Sequence, residues 1–235
     1  MKELLSLITD QINRDIYPGA SLALYQQGSW SEYYLGTIDG NQPVREGLIY
    51  DLASVSKVVG VGTLMISLIK GGAMAIDDPL KIYYPDFHDQ SVTLRQLLTH
   101  TSGINPYIPN RNQLNTEQLK AAINTITVEK NKDFLYTDIN FLLLGFMLEE
   151  YYSQPLDYIL KQEIFNTWAM SDTGFGPIRE AVPTVLGVND GLVHDPKARV
   201  LGVHAGSAGL FSTIKDLQIF CQHYLEDDFA TDIWQ

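Results

Sequence analysis

The 235-residue sequence predicts an α/β (α+β) fold in which a helical domain is inserted into an antiparallel-sheet domain. Three observations predict it. Two alternating strands flank a tight turn near the N-terminus, helical periodicity dominates from about residue 50 to 225, and a two-stranded hairpin is too small a sheet to stand alone. The division that follows assigns residues 1–49 to an N-terminal helix and the first two strands, and 50–225 to a mainly helical region carrying the motifs. Residues 226–235 begin a C-terminal segment. A functional site is expected in the crevice between helices and sheet.

The first helix covers about residues 2–15 and ends near Tyr17-Pro18-Gly19. Ala20 to Tyr25 and Trp30 to Leu35 read as strands about the Gln27-Gly28 turn. Val58, Val59, Val61, Leu64, Met65, Leu68 and Ile69, closed by Gly71-Gly72, mark a buried helix. Gly60-Val61-Gly62 lies inside it and reads as a place of close helix packing. Asp77-Asp78, before Pro79, caps or turns the chain. Helical patterns follow at Leu94 to His100, Glu117 to Asn124, Ile139 to Tyr152, Leu156 to Phe165 and Asp216 to Tyr224. Between the first two of these, Ile104 to Asn115 carries Pro106 and Pro109 and reads as a loop.

Composition narrows the function classes. With 45% hydrophobic and 19% charged residues the chain can bury a sizeable core. A net charge of −12 argues against nucleic acid and anionic membrane surfaces as partners, because both need basic patches. The single cysteine, Cys221, excludes an intrachain disulfide, and its apolar neighbours place it in a buried helix face. Met1 to Ile8 is interrupted by Thr9-Asp10-Gln11, which fits an amphipathic helix better than a secretory signal core, so a cytoplasmic location is expected. Apolar runs are broken by glycine, lysine or paired glutamates before they reach membrane-spanning length. The five histidines lack metal-ligand spacing, and neither a phosphate loop nor a dinucleotide fingerprint is present, so no metal and no cofactor is assigned.

Ser54-Val55-Ser56-Lys57 stands where the buried helix begins. Residues three apart on a helix are surface neighbours, so Lys57 can reach the Ser54 hydroxyl. A serine is a weak nucleophile until an adjacent base takes its proton, and a lysine serves as that base only when burial or nearby cations favour its neutral form. The helix N-terminus adds positive potential where an alkoxide would form. Serine is also a favoured N-cap and lysine an ordinary helix residue, so this spacing alone leaves a structural reading open.

Context adds to the spacing. Tyr50-Asp51-Leu52-Ala53 leads into Ser54; Ala75-Ile76-Asp77-Asp78-Pro79-Leu80 and Tyr84-Pro85-Asp86-Phe87 follow, then Leu97-Leu98-Thr99-His100-Thr101-Ser102-Gly103. Further on stand Tyr136-Thr137-Asp138 before Leu142-Leu143-Leu144-Gly145, and Ala205-Gly206-Ser207-Ala208-Gly209-Leu210-Phe211-Ser212-Thr213 before Asp216-Leu217. In this order, over about residues 18–220, the motifs resemble the serine β-lactamase and penicillin-binding-protein superfamily. The branch they resemble most is that of class C β-lactamases, D-alanyl-D-alanine carboxypeptidases and family VIII esterases. The resemblance implies a β-lactamase/transpeptidase-like fold. It also implies that Ser54 is the acylated nucleophile, that Lys57 assists its deprotonation and that Tyr136 exchanges a proton with the leaving group. A phenolate is stabilised by a close ammonium group, so Lys57 and Tyr136 can share one mobile proton.

Two departures bear on substrate choice. Asp138 stands where the family's Tyr-x-Asn element has asparagine; as a substrate-binding residue it accepts hydrogen bonds but donates none, and its charge is expected to repel a substrate carboxylate. The family's Lys-Thr-Gly or His-x-Gly strand has no clear copy. His204-Ala205-Gly206 fits the letters, but it precedes the glycine-rich segment immediately, and His204 reads as a loop or core histidine. The C-terminal strands and final helix are therefore expected beyond Gln235, and the site is expected to work poorly without them. An unpaired strand edge would then allow self-association.

The expected function is that of a serine hydrolase acting through an acyl-enzyme on a β-lactam, a D-Ala-D-Ala-like peptide or a carboxylic ester, with small activated esters cleaved faster than β-lactams. The alternative is a weakly active or inactive protein of the same fold that senses peptidoglycan fragments. Ser54, Lys57 and Tyr136 together favour the first, since a binding module has no need of all three. A small molecule or short peptide is the expected partner in either case.

Overall fold

Gln27 and Gly28 both take left-handed backbone angles, φ 52° and 78°, and a two-residue turn of that kind twists with its flanking strands. In the computed structural model, which describes residues 2–185, 187–188 and 191–227, helix α1 (Lys2–Asn13) precedes this hairpin. Strands β1 (Gly19–Gln26) and β2 (Ser29–Gly36) pair antiparallel from Gly19 opposite Gly36 to Gln26 opposite Ser29. Among the described residues they form a two-stranded sheet.

Strand β3 (Ile49–Asp51) leads into one continuous helical run. That run begins as a 3₁₀ turn at Ala53–Val55, passes through a π-helical turn at Val58–Gly62 and continues as α2 (Thr63–Lys70). A Cβ added at Gly60 would lie 2.9 Å from Leu160 Cδ1, so this turn does pack as closely as its glycines imply. The run from Ala53 to Lys70 is long and apolar enough, by length and composition, to cross a membrane, which corrects the expectation that no segment reaches that size. One side of it instead faces the core, where Val59, Val61, Leu64 and Met65 are buried, while Val55 and Val58 are half exposed.

The helical layer is completed by α3 (Leu94–Leu98), α4 (Thr116–Asn124), α5 (Asp138–Tyr152) and α6 (Leu156–Leu160). Thr93 and Asn115 open α3 and α4 with reciprocal capping boxes through Gln96 and Gln118. Asp77 pairs with Arg95 and Asp78 accepts from the Ala75 amide, so the acidic pair does turn the chain. Every residue of α5 from Ile139 to Leu148 is buried, and a helix apolar on all sides belongs at the centre of the core. Gly145 and Gly206 let the neighbouring 205–207 segment lie against α5: a Cβ on Gly206 would sit 2.2 Å from the Phe141 carbonyl oxygen.

Strand β4 (Gly174–Phe175), α7 (Pro196–Leu201), β5 (Leu210–Thr213) and α8 (Ile214–Glu226) follow. β5 is the centre of a three-stranded antiparallel sheet in the order β3-β5-β4, with Ile49 opposite Thr213 and Gly174 opposite Phe211. The sequence reading missed this sheet and treated residues 208–213 as part of a glycine-rich segment. All four residues of β5 are buried, so the strand shows no alternation to detect. α8 covers the hairpin, where Trp30 Nε1 donates to Gln222 and Gln218 donates to Glu32. Cys221, expected to be buried in α8, is exposed. Of the segment expected at 226–235, residues 228–235 lie outside the described residues.

Candidate active site

Asp51, the last residue of β3, holds the turn that presents Ser54. Its Oδ1 accepts from the Ala53 amide and its Oδ2 from the His194 amide, both at 2.8 Å. Ala53 sits at φ 46°, a left-handed conformation that costs a residue with a Cβ of order 1 kcal/mol and needs such support. Two further bonds tie the turn to β5: the Leu52 amide donates to the Leu210 carbonyl, and the Leu210 amide donates to Ser56 Oγ at 3.2 Å. Ser54 is exposed, whereas Lys57 is buried at 2% exposure.

Lys57 Nζ donates to Ser54 Oγ at 3.2 Å, to Asp138 Oδ1 at 2.7 Å and to the Ser207 carbonyl at 2.9 Å. Each hydrogen of the ammonium thus has an acceptor. Asp138 is the first residue of α5, and Thr137 caps that helix by accepting from the Ile139 amide. The second Asp138 oxygen meets Lys197 Nζ at 2.9 Å, and Lys197 also meets Asp195 Oδ2 at 3.2 Å. Burial by itself would raise the Asp138 carboxyl, but hydrogen bonds from Lys57 and Lys197, together with their charges, hold it below its ordinary value. This corrects the expectation for Asp138. The carboxylate borders a cavity of about 160 Å³ shared with Arg111, Tyr136 and Lys197, yet its charge is offset by two ammonium groups rather than left to repel a substrate.

Tyr136 is half exposed, and its ring centre lies 5.1 Å from Lys57 Nζ. Beneath it His100 packs with ring centres 4.5 Å apart. Asn140 Nδ2 and the Thr137 amide both donate to His100 Nδ1, which makes that nitrogen an acceptor. Burial, and then the Lys57 charge, depress the His100 pKa, so a neutral imidazole supports the tyrosine. Ser102 Oγ in turn donates to Asn140 Oδ1 at 2.7 Å.

The structure therefore brings Ser54, Lys57, Tyr136 and Asp138 together. His204 stands apart from them, in a short turn after α7, with its Nδ1 on Glu149 Oε1 at 2.6 Å. Sequence reasoning missed His100, Lys197 and Ser207 as members of the site. The helix α7 was not expected from the sequence; its Asp195-Pro196 start is a signal that could have placed it, but nothing in the sequence says which carboxylate Lys197 meets. Among the described residues no three His, Cys, Asp or Glu side chains gather as a metal site would require.

Helices and an antiparallel sheet meeting at a buried lysine and an exposed serine define the β-lactamase/transpeptidase-like class of fold. A family model described as Beta-lactamase matches residues 6–232, and the chain belongs to that family. It is 26% identical, over 92% of its length, to an Escherichia coli K12 protein described as "Putative D-alanyl-D-alanine carboxypeptidase". The chain spans 62% of that protein. Among solved structures it is similar to D-amino acid amidase from Ochrobactrum anthropi SV3 in complex with L-phenylalanine amide, with TM-score 0.78, 21% identity, and coverage of 99% of this chain and 73% of that one. A class C β-lactamase from Rhodobacter sphaeroides aligns with TM-score 0.74 and 20% identity over 94% of this chain and 65% of that one. At these identities the structures speak for the fold.

Proposed function

We propose that this protein is a serine hydrolase that works through an acyl-enzyme on Ser54, with carboxylic esters its favoured substrates over β-lactams and D-Ala-D-Ala-like peptides. The observation that carries the reading is the 3.2 Å contact between Lys57 Nζ and Ser54 Oγ, made by an ammonium whose other partners are fixed. Ser54 Oγ attacks the acyl carbon, its proton passes to Lys57 once that side chain is a neutral amine or to Tyr136 as a phenolate, and the leaving oxygen takes that proton as the carbon–oxygen bond breaks. Water then attacks the acyl-Ser54 ester, frees the acid and restores the hydroxyl. Esters are favoured because an alkoxide leaves more readily than an amide nitrogen, which must be protonated as it departs. Asp138, an acceptor only, offers no donor to an acyl-amide carbonyl.

Intact-mass spectrometry after incubation with a fluorescent penicillin and with p-nitrophenyl acetate tests this. A covalent adduct on Ser54 and a kcat/KM larger for the acetate than for a cephalosporin are expected. Near-normal ester hydrolysis by Ser54→Ala would sink the nucleophile, and a larger cephalosporin value would sink the ester preference. No adduct and no turnover with the native protein would favour a binding protein of the same fold.

A further inference from the structure

Four charged side chains from three parts of the chain alternate in sign through the site: Lys57, Asp138, Lys197 and Asp195. The third is not explained by the reaction above. Lys197 is 8% exposed, and a lysine so enclosed must be paired to remain charged. Its place is fixed from the helix end. Asp195 caps α7 with Oδ1, which accepts from the Ala198 amide at 2.8 Å, and keeps Oδ2 for Lys197. The ammonium is thereby aimed at the one Asp138 oxygen that Lys57 does not use.

We propose that Lys197 is a positioning residue for the reaction: by engaging the second oxygen of Asp138 it loosens that carboxylate's hold on Lys57, so that the amine can release a proton and accept the one on Ser54. The inference rests on the hydrolase reading. A carboxylate given wholly to Lys57 would keep it an ammonium, and an ammonium with three acceptors has no lone pair for the serine proton. A second cation on the same carboxylate works against that charged state. The other ionisable groups facing the pair are Tyr136, on whose ring Lys57 lies, the neutral His100 beneath it, and Arg111 across the cavity.

The test is the pH dependence of kcat/KM for p-nitrophenyl acetate in the full chain and in Lys197→Met, Lys197→Arg, Asp138→Asn and Asp195→Asn. Lys197→Met should lower the value at pH 7 about tenfold, the effect of moving one titration by one unit, and shift the acid limb to higher pH so that activity recovers in alkali. Lys197→Arg should restore most of it. Asp138→Asn should move the limb the other way. Asp195→Asn, which keeps a helix cap while freeing Lys197 for Asp138, should move it the same way as Asp138→Asn by less. A uniform loss at every pH in Lys197→Met would reduce Lys197 to a structural role, and a shift to lower pH would overturn the proposal. Nuclear magnetic resonance of ¹³C-labelled lysine follows the Lys57 titration midpoint without any turnover. The midpoint should rise in Lys197→Met and fall in Asp138→Asn, and an unmoved midpoint defeats the inference. Absence of turnover with the expected midpoints would count against the hydrolase reading alone.

Discussion

Ser54 and Lys57 differ sharply in what surrounds them, and that difference fixes what each substitution should do. Ser54 is exposed, so Ser54→Ala should abolish hydrolysis while leaving the melting temperature nearly unchanged. Lys57→Met should damage activity almost as much, since groups acting as a unit do not add, but it also strands the buried end of Asp138 and should lower stability. Parallel assays of ester turnover and thermal melting separate the two. Asp138 carries a stability prediction of its own. Its carboxyl titrates below the ordinary 3.8 of an aspartate, so its stabilisation is complete above that pH and is lost as pH falls through its lower folded value. Asp138→Asn should therefore melt below the native protein at pH 7, with the gap narrowing in acid below about pH 3.8; a gap independent of pH would show the ion pairs contribute nothing. Ser54, Lys57, Tyr136 and Asp138 were legible because each lies in a short motif whose order along the chain carries the information. Lys197 and Ser207 were not, because their roles exist only after distant segments are brought into register.

Strands were read well where one face is polar and poorly where none is, whereas α5, buried on all sides, was still read to within a residue because of its length. The hairpin and α4 announced themselves through alternation, turn residues and helical spacing, and their bounds fall within a residue or two of the expected ones. β5 was lost because four buried residues in a row look alike to any period. The contact between α5 and residues 205–207 shows a second limit, since a glycine's necessity depends on what lies beside it. Gly206→Ala would place a methyl 2.2 Å from the Phe141 carbonyl and close to Gly145, and backbone on both sides cannot yield. A loss of about 1–3 kcal/mol, typical of overpacking, is expected in urea unfolding. Because the same segment supplies the Ser207 carbonyl to Lys57, ester turnover should fall with it. A variant with native stability would show that the segment can shift.

At the scale of the molecule, the order of events in synthesis follows from the β3-β5 pairing. Residues that make the nucleophile turn leave the ribosome early, yet what holds that turn comes late: the Leu210 carbonyl and amide, and the Ser207 carbonyl. Hairpin and local helices close contacts between near neighbours and can form as they emerge, whereas the central sheet joins Ile49 to Thr213 and must wait. Ribosome-bound chains halted with residues 1–200 exposed should leave the turn open to proteolysis, and chains exposing residues 1–227 should protect it. Equal protection in both would mean the turn is held without β5. On the reading proposed for Ser54, a chain built in this order holds its reactive hydroxyl in a turn that lacks the Ser207 and Leu210 partners of the folded protein until residues 207–210 have emerged.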